Sequence, residues 1–229
     1  MDPTMLDQLR WGALTLILLI ISIGLHEFGH AWMADRRGDP LPRAQGRVSL
    51  NPFAHTDPLG TIAIPALMIF LPILMGYSGG FAMIGWGKPV EISLPNPKTR
   101  RLDDILITLA GPAMNIVLCL SFALVGGLGG LNALGGESGA SATLVHFLLT
   151  GIFMNAALVV FNLIPIPPLD GSRLCLRLGI FSEEIFYTLA RWGFVILLVL
   201  INIPFFREIM SVGIELLAIP FVLLWGLFV

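Results

Sequence analysis

The chain has 229 residues, 56% of them hydrophobic and only 12% charged, with a net charge of −2. Soluble domains carry about 25% charged residues, so this composition excludes an ordinary water-soluble enzyme and describes an all-α polytopic membrane protein. The slightly acidic balance excludes nucleic-acid binding. Cys119 and Cys175 are too few for a disulfide framework and read as buried thiols without a redox role.

In chain order, a first apolar run over residues 11–34 is long enough to span about 30 Å of hydrocarbon. A polar loop, 35–57, follows with Arg36, Arg37, Arg43 and Arg47. Residues 58–87 hold no formal charge but are interrupted by Pro65, Pro72, Gly76, Gly79, Gly80, Gly85 and Gly87. That pattern predicts a helix over 59–75 and then a re-entrant or extended segment near 76–95, returning along a protein-lined cavity. A second polar loop, 88–104, carries Lys88, Lys98, Arg100 and Arg101. Helices are expected over 104–128, 143–164, 184–203 and 208–228, about six membrane helices in all. The chain reads as one domain, 1–229, with a catalytic core over about 11–177 and two accessory C-terminal helices over about 184–228.

The two Lys/Arg-rich loops, and Arg173 and Arg177 after residue 170, belong on the cytoplasmic side by the positive-inside rule. The turn over 126–142 has no Lys or Arg and belongs outside.

Inside the first run, the ionisable residues are His26, Glu27 and His30. A helix advances about 100° per residue, so His26 and His30 lie one turn apart on the same face. Two imidazoles there can hold one ion, with Glu27 beside them to move a proton, which is the mechanical content of H-E-x-x-H. Within hydrocarbon such groups cost a few kcal/mol each unless satisfied, which argues for a metal site over a solvated face.

Catalytic zinc usually takes three protein ligands. The candidates for the third are His55, Asp57, Asp103, Asp104, His146 and Asp170. His146 falls at the outer end. Asp103 and Asp104 open a helix, where acidic side chains serve the dipole and the cap. Asp170 follows the Pro-rich break Pro165-Ile166-Pro167-Pro168 and is the best candidate. His55 sits in a loop whose Asn51 and Asp57 suit turns; a gate or transient ligand at the active site is the lesser reading for it.

His26-Glu27-Phe28-Gly29-His30, followed by Asn162-x-x-Pro165-x-Pro167-x-x-Asp170-Gly171, resembles the site-2 protease family of intramembrane zinc metalloproteases. Asn51-Pro-x-x-His55-x-Asp57-Pro58, Gly85-Trp86-Gly87-Lys88-Pro89 and Ala110-Gly111-Pro112-x-x-Asn115 are similar to segments of its compact prokaryotic members, which have no PDZ domain. The resemblance covers about residues 22–177. It implies one zinc ion per chain on His26, His30 and Asp170, with Glu27 as catalytic acid/base. It implies a prokaryotic cytoplasmic membrane, and substrates that are membrane-spanning segments of other proteins, often tethered regulators. Asn162 and Asn115 match family positions near the active site, where oxyanion stabilisation or substrate contact is implied. For Asn162, satisfying helix backbone freed by Pro165 is the equal alternative.

The expected reaction is peptide hydrolysis at a locally unwound substrate helix, paired by edge addition to extended chain around 81–94. Three alternatives stand beside it. One is a catalytically silent metal-binding protein, which would have no need of Glu27. Another is hydrolysis of a different membrane substrate, which would typically complete the site with a Glu from a later helix rather than with Asp170. The third is a metal transporter, which would show repeats and mid-membrane ligands. Nothing in the sequence bears on substrate identity, regulators or oligomeric state.

Overall fold

The computed structural model describes residues 3–76, 85–133 and 139–228. Eight α-helices form among them: α1 (Pro3–Arg36), α2 (Leu41–Ala44), α3 (Ile64–Leu74), α4 (Arg100–Leu128), α5 (Gly139–Asn162), α6 (Asp170–Leu178), α7 (Glu183–Leu200) and α8 (Pro204–Gly226). Among the described residues there is no strand, and the one isolated bridge pairs Thr56 with Gly87 antiparallel. The protein is an all-α integral membrane protein.

Among the described residues, four helices are long and apolar enough to cross a bilayer: Thr4–Arg36, Arg100–Leu128, Gly139–Asn162 and Pro204–Gly226. The other two of the six expected are shorter or more charged. Pro58–Leu74 is a short apolar helix, and α7 begins with Glu183 and Glu184 and carries Arg191 in its middle. The expected segment near 76–95 lies partly outside the described residues. From residue 85 to Pro97 the chain has no helix, as its glycines and prolines predict.

α4 is the central helix. It packs against α1 on one side and α5 on another, with α8 closing over both α4 and α5. Small residues set these approaches, as they do where lipid offers no hydrophobic drive between helices. A Cβ on Gly29 would come within 2.5 Å of the Ala110 carbonyl, so α1 and α4 touch backbone to backbone there. A Cβ on Gly151 would stand 2.7 Å from the Phe122 ring, and Gly126 faces Trp225 the same way. Trp225 is fully buried and its Nε1 donates to the Leu131 carbonyl at 2.6 Å. Outward faces remain apolar, with Val117, Leu216 and Leu223 among the exposed side chains, which suits hydrocarbon.

At the end of the bundle where α1 finishes, charges tie the helices together. Asp103 is not a cap. It accepts from Arg37 Nε at 2.6 Å and from Thr99 Oγ1 at 2.6 Å, joining α4 to the end of α1. Asp104, also expected to cap, accepts from Arg173 Nη2 at 3.1 Å and from Arg177 Nε, joining α4 to α6. Both arginines face the same carboxylate because they sit four residues apart on α6.

Asn51 and Asp57 do cap, as the turn reading expects. Asn51 accepts from the Phe53 amide, and Asp57 from Leu59 and Gly60 at the start of a π-helical turn over Pro58–Ala63. Arg47 is buried and holds two loops at once, donating to the Ala54 and Lys88 carbonyls and, at 2.9 Å, to Pro89.

Candidate metal centre

His26 and His30 lie on the face of α1 that meets α4, and both are buried. α5 ends at Asn162, ahead of three prolines that cannot continue a helix. Residues 163–169 turn through local bonds such as Ile166 N to the Ile164 carbonyl at 2.8 Å. α6 then opens at Asp170, whose carboxylate stands in the first turn, favoured by the helix dipole. Gly171 allows that turn to rest on the Leu163 carbonyl, which a side chain would overlap. The turn brings Asp170 to the two histidines.

The three side chains converge on one point. His26 Nε2 and His30 Nε2 are 3.1 Å apart, and Asp170 Oδ2 is 3.2 Å from the first and 3.3 Å from the second. What lies between these atoms follows from their other partners. His26 Nδ1 donates to Asn115 Oδ1 at 2.7 Å, and His30 Nδ1 donates to the Ile107 carbonyl at 2.7 Å. Both acceptors can only accept, so each neutral ring carries its hydrogen on Nδ1 and a lone pair on Nε2. Two nitrogen lone pairs and a carboxylate oxygen therefore face one another, and Asp170 Oδ2 is buried without a hydrogen-bond donor. Three acceptors in a buried pocket repel unless a cation joins them.

The donor set fits zinc. Tetrahedral ligands at about 2.0–2.1 Å from the ion are separated by about 3.3 Å, which is the size of this triangle. Each histidine also donates its second nitrogen's proton to a fixed oxygen, the arrangement that orients metal-binding imidazoles. Among the described residues, His26, His30 and Asp170 are the one group of three whose donor atoms come together in this way. Gly111 keeps the place open: a Cβ there would overlap His30 Nε2 and Cε1 and press on His26 Cε1.

Glu27 is half-buried beside this group. The chain at Gly87 runs directly over it, since a Cβ on Gly87 would lie 2.7 Å from Glu27 Cγ and 3.0 Å from its Oε1. This stretch is held from behind: Lys88 N donates to the His55 carbonyl at 2.8 Å, Trp86 N to Gly60 at 3.2 Å, and Thr61 Oγ1 to Trp86 at 2.7 Å.

The remaining expected residues stand elsewhere. Asn115 is fully buried, and its atoms are committed to His26, Asn155 and Ser22, so it supports a histidine and offers nothing to a substrate. Asn162 is half-buried and donates back to the Leu158 carbonyl at 2.9 Å. His55 is outside the cluster. It is fully buried, donates to the Ser49 carbonyl at 2.9 Å and packs edge-on to Phe28. Burial pushes its pKa below the usual imidazole value, which favours the neutral ring. His146 packs edge-on to Trp11, 4.3 Å between centroids.

Sequence reasoning missed Asn155 and Ser22, both fully buried behind Asn115. A signal existed: an Asn in the middle of an apolar helix is a functional candidate by default. The Ile107 carbonyl left no signal, because its role belongs to the backbone.

No solved structure matches the chain. YwhC of Bacillus subtilis, classed as a zinc metalloprotease, is 36% identical over 192 residues, 82% of this chain and 80% of YwhC. Rip2 of Mycolicibacterium smegmatis, classed the same way, is 32% identical over 188 residues, 81% of this chain and 65% of Rip2. The zinc metalloprotease Rip1 of Mycobacterium tuberculosis is 31% identical over 140 residues, 55% of this chain and 32% of Rip1. Residues 14–200 match peptidase family M50. With a zinc-compatible triad among membrane helices and these relatives, the chain belongs to peptidase family M50 and is a membrane-embedded zinc metalloprotease.

Proposed function

We propose that the protein hydrolyses a peptide bond in or beside the membrane-spanning segment of another membrane protein, with one zinc ion per chain held by His26, His30 and Asp170. The observation that carries the reading is the 3.1–3.3 Å triangle of lone-pair atoms one residue away from Glu27. Zinc bound there supplies Lewis acidity toward water and the scissile carbonyl. Glu27 accepts a proton from the attacking water. The water oxygen joins the carbonyl carbon, the C–N bond breaks, and Glu27 returns the proton to the leaving amine.

A substrate helix hides its carbonyls in its own hydrogen bonds, so it unwinds before it reaches Glu27. The chain at 85–94 is irregular and crosses Glu27 at Gly87, which supports its use as an edge for the unwound strand. Residues 81–84 of that expected edge lie outside the described residues. Asp170 shares its end of the bundle with Arg173, Arg177, Arg37 and the Arg47 loops. That charge supports an active site toward the cytoplasmic side of a prokaryotic membrane. The whole chain serves as one unit on this reading.

The test is cleavage of a model membrane-spanning substrate by purified protein, wild type against Glu27→Gln, with bound zinc measured in both. Cleavage by wild type alone, with about one zinc in each, supports the reading. Stoichiometric zinc with no cleavage of any of several substrates would leave a metal-binding protein, and no zinc in either would remove the site.

A further inference from the structure

Asn155 lies in mid-α5 at a position that none of the sequence motifs includes, and it is fully buried. Its Nδ2 donates to the Gly151 carbonyl at 2.8 Å and to Ser22 Oγ at 3.0 Å. Its Oδ1 accepts from Asn115 Nδ2 at 2.8 Å. A carbonyl oxygen can only accept, so the amide nitrogen of Asn155 has to face Gly151 and its oxygen has to face Asn115. Asn115 then turns its nitrogen to Asn155 and its oxygen to His26, which puts the His26 hydrogen on Nδ1. Nε2 is left with its lone pair toward His30 and Asp170. Each link in this series permits one polarity. The Ser22 carbonyl, 3.3 Å from Asn115 Nδ2, is a longer contact of the same sense.

We propose that Asn155, supported by Ser22, is a positioning residue for the metal centre: it carries the polarity of one backbone carbonyl of α5, through Asn115, to His26 and so selects the nitrogen that faces the ion. The inference rests on His26 being a zinc ligand, as proposed above. It differs from a purely structural tie between α1, α4 and α5 in one respect. Asn155 acts on the metal only because Asn115 is an amide with two unlike ends. A carboxylate at 115 accepts from His26 Nδ1 whichever oxygen faces it, and needs no orienting partner.

The experiment is a double-mutant cycle on the full chain in detergent, reading zinc affinity by competition with a chromophoric chelator. The proteins are wild type, Asn155→Leu, Asn115→Asp, the pair together and His26→Ala, with melting followed on each. Asn155→Leu is expected to weaken zinc binding roughly ten-fold in the wild-type background, the low end of the effect of losing a direct outer partner of a metal histidine, because Asn155 acts one link further out. In the Asn115→Asp background the same change is expected to cost less than about three-fold, a non-additivity that marks direct coupling. If Asn155→Leu does not fold, Asn155→Ser replaces it in the cycle. Its hydroxyl returns to the Gly151 carbonyl, as Thr150 does to His146 at 2.7 Å, but stops short of Asn115.

Unchanged zinc affinity, or an equal loss in both backgrounds, overturns the inference. A His26→Ala protein that still binds zinc with wild-type affinity overturns the metal-ligand reading and this inference with it. Zinc lost in His26→Ala but retained in Asn155→Leu removes this inference alone.

Discussion

Gly111 of α4 lies against the Nε2 edge of His30 on α1, so closely that a single added methyl would occupy the space in front of the nitrogen. Gly111 thus forms part of the wall around the two histidines. Glycine inside a helix costs about 1 kcal/mol relative to alanine, and in α4 that cost leaves the Nε2 edge of His30 unobstructed.

Gly111→Ala therefore opposes two effects. It favours α4 by about 1 kcal/mol on helix propensity, while displacing His30 from the triangle. The expected outcome is zinc affinity reduced at least ten-fold and cleavage lost, with the helical circular-dichroism signal retained. Wild-type zinc affinity in Gly111→Ala would show that the histidines do not use this face.

Removal of the metal should loosen the fold where α1, α4 and α6 meet. Without a cation, the three facing acceptors repel. Ligand that binds only the folded state stabilises it by about 2.7 kcal/mol at a hundred times its Kd. A chelator is therefore expected to lower Tm in wild type and not in His30→Ala. Zinc added back should restore Tm in the wild type alone. Equal chelator sensitivity in both proteins would argue against the site.

Asp104 governs α6, and α6 carries Asp170. Asp104 is 1% exposed and takes both Arg173 and Arg177, whose side chains are 39% and 31% exposed. Removing one member of a buried pair costs about 3–5 kcal/mol, but these arginines can turn to water, so Asp104→Asn is expected to cost about 2 kcal/mol. Zinc affinity should fall with it. Asp35→Asn, which loses only an exposed pair with Arg43, should leave both Tm and zinc affinity unchanged. The two melts, run side by side, check the assignment.

Asp39 is expected to make the loop at 93–94 pH-sensitive. Burial opposes its charge, yet the Ser93 hydroxyl and the amides of Leu41, Ser93 and Leu94 donate to it and hold its pKa below the usual carboxylate value. A depressed folded pKa gives stability that is present above the unfolded pKa of about 3.9 and is lost as pH falls through the folded value. Those bonds also steady Leu94, whose φ is +47°, a region a leucine rarely enters. Asp39→Asn is expected to speed hydrogen exchange at residues 93–94 at neutral pH, with the difference from wild type shrinking below about pH 4. A difference that persists undiminished at lower pH would rule out the carboxylate charge as its source.

Much of this protein was legible in order along the chain. Except at the start of α1, the apolar runs predicted the long helices within a few residues, because hydrocarbon forces a spanning segment to satisfy its own backbone. His26 and His30 shared a face by helix period alone, and Asp170 stood out because few ionisable groups occur at that depth. α1 starts eight residues earlier than the apolar run, since Asp7 and Arg10 extend it on exposed turns. α6 was not anticipated: in the sequence Arg173 and Arg177 bear only on the side of the membrane, whereas in the fold they also serve Asp104.

What remained for the tertiary structure was everything that depends on two helices approaching. Helix period assigns a residue to a face, but does not say which residue of a neighbouring helix stands opposite. Asp103 and Asp104 became interhelical ties through the crossing of α4 with α1 and α6. Asn115 turned away from any substrate once α5 brought Asn155 behind it. Sequence alone determined that two imidazoles and a carboxylate share a membrane domain. The packing of α1, α4, α5 and α6 decided that their lone pairs meet within 3.3 Å, because the oxygens that orient the α1 histidines come from α4, far along the chain.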